Sequence, residues 1–141
     1  DDTIKNNIAF GIVDEEIDEV KLEKAVKSSQ LEEFIDSLPK RINTKVGERG
    51  VQLSGGQIQR IGLARALYHN PKILILDEAT SSVDNYTENK ILESLNRLKG
   101  EITIIVVAHR TSTVANCDYI YKIGSGRILD EGLPKNVIES L

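Results

Sequence analysis

Two adjacent carboxylates, Asp77 and Glu78, directly follow the aliphatic run Ile73 to Leu76. This apolar run, bounded by Pro71 and Asp77, predicts a strand that is buried on both faces of a parallel sheet. The carboxylates are then expected at its carboxyl end. One carboxylate there can hold Mg²⁺ through its oxygens, and its neighbour can orient or deprotonate an attacking water. Taken alone, the pair fits a solvated strand end equally well.

A second group of residues suits an anion. Leu53 to Gln57 reads Leu-Ser-Gly-Gly-Gln and lies where a glycine-rich loop enters a stretch of helical periodicity. Two glycines at the start of a helix leave backbone N–H groups uncovered, and the helix dipole adds partial positive charge. The hydroxyl of Ser54 adds a donor. The pattern suits a phosphate, although a Ser-Gly-Gly turn by itself is more often only a loop entering a helix.

A third group is His109, which closes a second apolar run, Ile102 to Ala108. Its imidazole could donate a hydrogen bond to a phosphoryl oxygen, while a purely structural histidine is the alternative. Because the carboxyl ends of parallel strands meet at one edge of a sheet, Asp77, Glu78 and His109 are expected to converge there. Ligands of α/β folds bind in the crevice outside that edge.

The rest of the chain supplies the elements that position these groups. The acidic stretch from Asp14 to Leu38 has helical periodicity and ends before Pro39. Asn85, with Glu88 three residues later, predicts a capping box at the start of the helix between the two strands. Towards the C-terminus the sequence predicts a hairpin whose strands are Tyr119 to Ile123 and Arg127 to Glu131. A short helix is predicted over Lys135 to Leu141.

Composition narrows the class of protein. The 141 residues are 40% hydrophobic and 28% charged, with a formal net charge of -4, as in an ordinary globular domain or part of one. No basic face indicates a nucleic-acid partner. The longest apolar stretch is far shorter than the ~20 residues that span a bilayer. The single cysteine, Cys117, is interpreted as a small, partly buried residue.

In this order and at this spacing, the motifs resemble those of ATP-binding-cassette (ABC) nucleotide-binding domains. Two loops further resemble the exporter branch: Thr44 to Gly50 is similar to its X-loop, and Asp2 to Ile8 to the segment after its Q-loop. The four motifs that carry the family resemblance are the signature Leu53 to Gln57, the Walker B strand Ile73 to Glu78, the D-loop Ser81 to Asp84 and the switch-histidine loop Ala108 to Arg110.

The resemblance implies an α/β fold, a partial P-loop NTPase (ABC ATPase) fold. It would comprise a helical subdomain and the C-terminal part of a mostly parallel core sheet. Residues 1–141 would be the C-terminal part of one nucleotide-binding domain. Residues from about 10 to 65 would form the helical subdomain with the X-loop and signature, and residues from about 70 to 141 the core with Walker B, D-loop and switch histidine.

The resemblance also implies ATP and Mg²⁺ as cofactors and a role for each motif residue. Asp77 would support Mg²⁺, Glu78 would polarise the attacking water, and His109 would contact the γ-phosphate. The signature residues Ser54, Gly55, Gly56 and Gln57 would face ATP held by a second nucleotide-binding domain in a head-to-tail dimer, and Asp84 would reach across that dimer. Glu48 would face the transmembrane domains, at the cytoplasmic face of the inner membrane.

The largest departure from the family pattern is that the sequence contains no Gly-x-x-x-x-Gly-Lys-Ser/Thr, and hence no P-loop lysine. We expect Asp1 to follow a missing phosphate-binding half, whose removal would uncover apolar faces of the sheet. Thr111 stands where exporters usually carry leucine, and Lys45 stands at an often acidic position.

Two other functions stay open at this point. The cassette could belong to a soluble ATPase that acts on ribosomes or DNA ends, or it could be a non-catalytic module that completes a partner's site through Ser54 to Gln57.

Overall fold

The computed structural model describes residues 1–47, 53–77 and 85–139. Among these residues, helices occupy the first half of the chain, and two small sheets with three further α-helices occupy the second. The helices are α1 (Ile4–Ile8), α2 (Glu19–Ser28), α3 (Glu32–Ser37), α4 (Gly55–Tyr68), α5 (Asn85–Arg97), α6 (Thr111–Val114) and α7 (Pro134–Ile138); the strands are β1 (Ile73–Asp77), β2 (Thr103–Val107), β3 (Ile120–Gly124) and β4 (Arg127–Gly132).

The acidic stretch is helical, as predicted, but it is divided into two α-helices. Asp18 caps α2 by accepting hydrogen bonds from the backbone N–H groups of Val20 and Lys21, at 3.0 and 3.1 Å. Between α2 and α3, Gln30 adopts a positive φ of 54°, a conformation that no α-helix can continue through. The Asp18 side chain therefore serves the N-terminus of α2.

The longest helix, α4, packs against α1 and α2 and forms the centre of the core. Its residues Ile61, Ala64 and Leu67 are buried, whereas Ile58 is exposed. The Tyr68 hydroxyl at the end of α4 accepts a hydrogen bond from the backbone N–H of Asp18, at 2.9 Å. The end of α4 is thereby fixed to the start of α2.

The two central strands, β1 and β2, pair in parallel, from Ile73 opposite Thr103 to Asp77 opposite Val107. The chain crosses between them through α5. This arrangement confirms the predicted parallel pair with a helical crossover.

Burial of both faces of β1, however, was a wrong expectation for this chain. Leu74 is buried, while Ile73 and Ile75 are 57% and 66% exposed. The alternate residues Ile105 and Val107 of β2 are exposed as well, at 48% and 47%. The reason is that the chain's own helices cover only one face of this pair. The exposed aliphatic face agrees with the expectation, drawn from the missing P-loop motif, that apolar faces of the sheet would be uncovered.

The C-terminal part is the predicted hairpin, β3 paired antiparallel with β4, followed by a short helix. Ser125 and Gly126 at the turn both have positive φ, as in the two-residue turns that match strand twist. Val137 of α7 is buried against the hairpin. Cys117, just before β3, is half-buried as expected, and burial raises the pKa of its thiol. Within the described ranges, no helix is long and apolar enough to cross a membrane.

We predict that the exposed face of the β1–β2 pair makes the isolated 141-residue chain self-associate, because contiguous exposed aliphatic side chains favour association. Replacing Ile75 and Ile105 by lysine should raise the monomer fraction measured by analytical ultracentrifugation across a concentration series. Val20→Lys is the matched control, since Val20 is 78% exposed but lies on α2. A wild-type chain that stays monomeric and melts cooperatively would contradict the prediction.

Candidate functional site

The start of α4 is fixed by a reciprocal pair of hydrogen bonds between Ser54 and Gln57. The Ser54 hydroxyl oxygen accepts from the backbone N–H of Gln57 at 3.2 Å, and the Gln57 side-chain oxygen accepts from the backbone N–H of Ser54 at 2.8 Å. This is a capping box. Ser54 and Gly55 are exposed, so the N-terminus of this 14-residue helix faces outward.

Gly56 is buried, and close packing against a neighbouring helix explains why this position is a glycine. The sequence alone does not reveal this contact. A Cβ atom on Gly56 would lie 2.3 Å from Cγ2 and 2.8 Å from Oγ1 of Thr87, in the first turn of α5. Only glycine allows this approach, because real Cβ atoms do not come so close to a neighbouring side chain. The start of α4 therefore packs directly on the start of α5.

The carboxyl edge of the β1–β2 pair brings two of the predicted site residues together. Asp77 is the last residue of β1 and stands opposite Val107, the last residue of β2. His109 follows Val107 by two residues, and both Asp77 and His109 are exposed. The convergence of these two residues at one sheet edge is thus as predicted. Three further predicted residues, Glu48, Glu78 and Asp84, lie outside the described residues.

A cluster that the sequence analysis missed lies beside this edge, around the buried carboxylate of Glu88. Arg110 Nη1 donates to Glu88 Oε2 at 2.7 Å, in an ion pair whose carboxylate is only 6% exposed. Ser112 Oγ and Thr113 Oγ1 donate to Oε1 at 3.0 and 2.9 Å. Burial alone would raise the pKa of Glu88, but the hydrogen bonds from Thr113, Arg110 and Ser112 outweigh it and lower the pKa. Glu88 is therefore ionised at neutral pH.

This cluster corrects the predicted capping box. Helix α5 begins at Asn85 itself, one residue earlier than a cap at Asn85 requires. The Glu88 carboxylate binds the segment that follows His109. The spacing of Asn85 and Glu88 predicted a local contact, whereas the partners of Glu88 lie 22 to 25 residues further along the chain. A lone arginine after His109 was the available signal, but spacing alone could not pair it with Glu88.

Comparison with known proteins decides the family. The sequence profile of the family described as "ABC transporter" matches residues 2–81, more than half of the chain. The chain belongs to the ABC transporter family. The matched residues include both the signature segment and the strand that carries Asp77.

Two curated ABC relatives show how much of the chain is shared. An ATP-dependent lipid A-core flippase from Pseudoalteromonas translucida is 48% identical over 131 residues, which cover 93% of this chain and 22% of the flippase. ABC transporter B family member 17 from Arabidopsis thaliana is 43% identical over 137 residues, covering 97% of this chain and 11% of that protein. The chain thus spans between about a tenth and a fifth of the length of these two ABC relatives.

A solved structure supports the fold directly. A bacterial Atm1-family ABC exporter with ATP bound superposes with a TM-score of 0.85 at 39% identity, over 99% of this chain and 24% of the exporter chain. The predicted partial ABC ATPase fold is thereby confirmed, as is the resemblance to the exporter branch of the ABC family.

We predict that Gly56→Ala destabilises the complete nucleotide-binding domain by about 1–3 kcal/mol, because the added methyl group collides with Thr87. The penalty should shrink in a Thr87→Ala background, which removes the colliding atoms. Urea unfolding of the four variants of this double-mutant cycle measures both effects.

Gly62→Ala is the matched control for that cycle, since Gly62 lies in the same helix and no atom comes within 4 Å of its Cβ position. In a helix interior this substitution should be neutral or stabilising, by up to about 1 kcal/mol. If Gly56→Ala were tolerated as well as Gly62→Ala, the close packing of α4 on α5 would be refuted.

Proposed function

We propose that this chain is part of the ATP-hydrolysing motor domain of an ABC exporter. The observation that carries the proposal is the placement of Asp77 and His109 at one carboxyl edge of a parallel strand pair. In α/β folds this edge is where nucleotides bind. Membership of the ABC transporter family and the shared fold with an ATP-bound exporter support the same proposal.

The chemistry proposed for this edge is transfer of the γ-phosphoryl group of ATP to water. The water oxygen bonds to the γ-phosphorus, the bond to the ADP oxygen breaks, and the water proton leaves through a base. Glu78, directly after Asp77, is the residue proposed to orient and polarise that water. His109 is proposed to donate a hydrogen bond to a γ-phosphate oxygen, which stabilises charge in the transition state.

The exposed carboxylate of Asp77 is suited to Mg²⁺. Nucleotide-bound Mg²⁺ needs only one or two carboxylates, the remaining ligands being waters and phosphate oxygens. The described part of the chain contains no group of three or more histidine, cysteine or acidic side chains that could hold a metal by itself. When bound, Mg²⁺ neutralises charge on the β- and γ-phosphates.

The signature residues are proposed to act on ATP held by a second nucleotide-binding domain. Ser54 and Gly55 are exposed at the N-terminus of α4, where backbone N–H groups and the helix dipole favour a phosphate. The Ser54 hydroxyl oxygen accepts a bond from Gln57, so its own hydrogen remains to be donated to a γ-phosphate oxygen. Gln57 is therefore proposed to orient Ser54, and Gly56 to seat the helix start on α5.

For the longer protein we propose an exporter with two such domains and transmembrane domains. Residues from about 10 to 65 would form its helical subdomain and residues from about 70 to 141 its catalytic core. Glu48 would contact the transmembrane domains at the cytoplasmic face of the membrane, and Asp84 would reach across the dimer. The flippase and exporter relatives favour this function over the ribosome- or DNA-associated alternatives.

We predict that the full-length protein hydrolyses ATP and that Glu78→Gln lowers its kcat by at least about 100-fold, the usual contribution of a general base. Steady-state phosphate release measures the effect. Glu101→Gln is the matched control, because Glu101 is exposed in the turn before β2 and should leave turnover unchanged.

The 141-residue chain alone, which has no P-loop lysine, should not turn over ATP. ATP turnover by this isolated chain, at a rate abolished by Glu78→Gln, would contradict the proposal that hydrolysis also requires a P-loop lysine from outside these 141 residues.

A further inference from the structure

We propose that Glu88 is a positioning residue for the proposed ATPase reaction and that it holds His109 in place through the segment that follows it. This inference rests on the proposed function of His109. Glu88 itself lies in the first turn of α5 and accepts hydrogen bonds from Arg110, Ser112 and Thr113.

His109 lies between two fixed points of the backbone. On one side, Val107 is held in the strand ladder opposite Asp77. On the other side, Arg110 is held by its ion pair with Glu88 at 2.7 Å. Only Ala108 separates His109 from the ladder, so the backbone of His109 has little freedom while the Glu88 contact persists.

The contacts of Glu88 with Arg110, Ser112 and Thr113 are strong and specific. Glu88 is buried and uses both carboxylate oxygens, Oε2 for a guanidinium and Oε1 for two hydroxyls. Hydrogen bonds to an ionised group contribute roughly twice as much as neutral ones. Breaking a buried pair leaves an uncompensated charge, so the alternative loop positions are disfavoured. Thr113, one of the donors, is itself buried.

The same turn of α5 also contacts α4, the helix that begins with the signature residues. Thr87, adjacent to Glu88, fills the space in front of Gly56 at the start of α4. The first turn of α5 thus contacts the signature segment through Thr87 and the switch-histidine segment through Glu88. A substitution at Glu88 leaves the packing of Thr87 on Gly56 unchanged, so it should disturb the placement of His109 while the signature segment stays in place.

This geometry predicts a kinetic effect on the chemical step. A misplaced catalytic group costs up to about 100-fold when the displacement is near 1 Å. In the full-length protein, Glu88→Gln should therefore lower kcat about 10- to 100-fold and change KM for MgATP by less than about threefold. The neutral amide keeps the size of the side chain but brings its own N–H donors toward Arg110, Ser112 and Thr113.

The decisive test is a double-mutant cycle between Glu88 and His109 in the full-length protein, measured as kcat for ATP hydrolysis. If Glu88 acts through His109, Glu88→Gln should lower kcat in the wild-type background but have no further effect in His109→Ala. Glu93→Gln is the matched control, because Glu93 is an exposed carboxylate on the same helix.

A second variant guards against failure of Glu88→Gln to fold. Ser112→Ala removes one donor to Glu88 Oε1 from an exposed residue and should lower kcat about 3- to 10-fold, again with no effect in His109→Ala. Equal losses from Glu88→Gln in both backgrounds, or unchanged kcat in Glu88→Gln and Ser112→Ala, would overturn the inference. Absence of ATPase activity in the wild-type protein would instead overturn the proposed function.

Discussion

The parallel pairing of β1 with β2 is the constraint on which the rest of the site depends. It ends both strands in register, so that Asp77 stands opposite Val107 and the chain leaves each strand at the same edge. A parallel pair needs a crossover, which α5 supplies. The crossover must begin beside the very edge where the first strand ended. The strand topology therefore places Asp77, the proposed Mg²⁺ ligand, near the start of α5. It also places His109 there, which is proposed to donate a hydrogen bond to the γ-phosphate.

The contacts of α5 turn that topology into a defined arrangement. Thr87 packs against Gly56, and Glu88 binds the residues after His109. Two segments that are distant in sequence, the start of α4 and the residues after His109, thus meet on two adjacent residues of one helix turn. Since a buried carboxylate is stable only when its oxygens are hydrogen-bonded, the Glu88 cluster forms as a unit with the fold. A fixed polar arrangement of this kind is what phosphoryl transfer requires, because its catalysis consists mainly of positioning and electrostatics.

Local patterns in the sequence were sufficient for the central strands, the longer helices, the hairpin and the edge at which site residues meet, but not for the short helices α1 and α6. The apolar runs predicted β1 and β2, and the Leu53 to Gln57 motif predicted the start of α4. Two kinds of information were not local. Exposure of Ile73 and Ile75 depends on which elements cover the sheet. A continuous apolar run has the same sequence pattern whether one face of the strand is covered or both are. The partners of Glu88 lie far along the chain, so a pattern of three-residue spacing assigned it to the wrong contact.

The central claim is that one chain contributes to two ATP sites, with Asp77 and His109 at its own and Ser54 at that of a second domain. The most direct measurement is a cryo-EM structure of the full-length protein carrying Glu78→Gln, with MgATP bound. The account predicts His109 within hydrogen-bond distance of one γ-phosphate and Ser54 within hydrogen-bond distance of the other. A structure in which Ser54 and His109 of the same chain contact one ATP, or in which neither contacts a γ-phosphate, would contradict it.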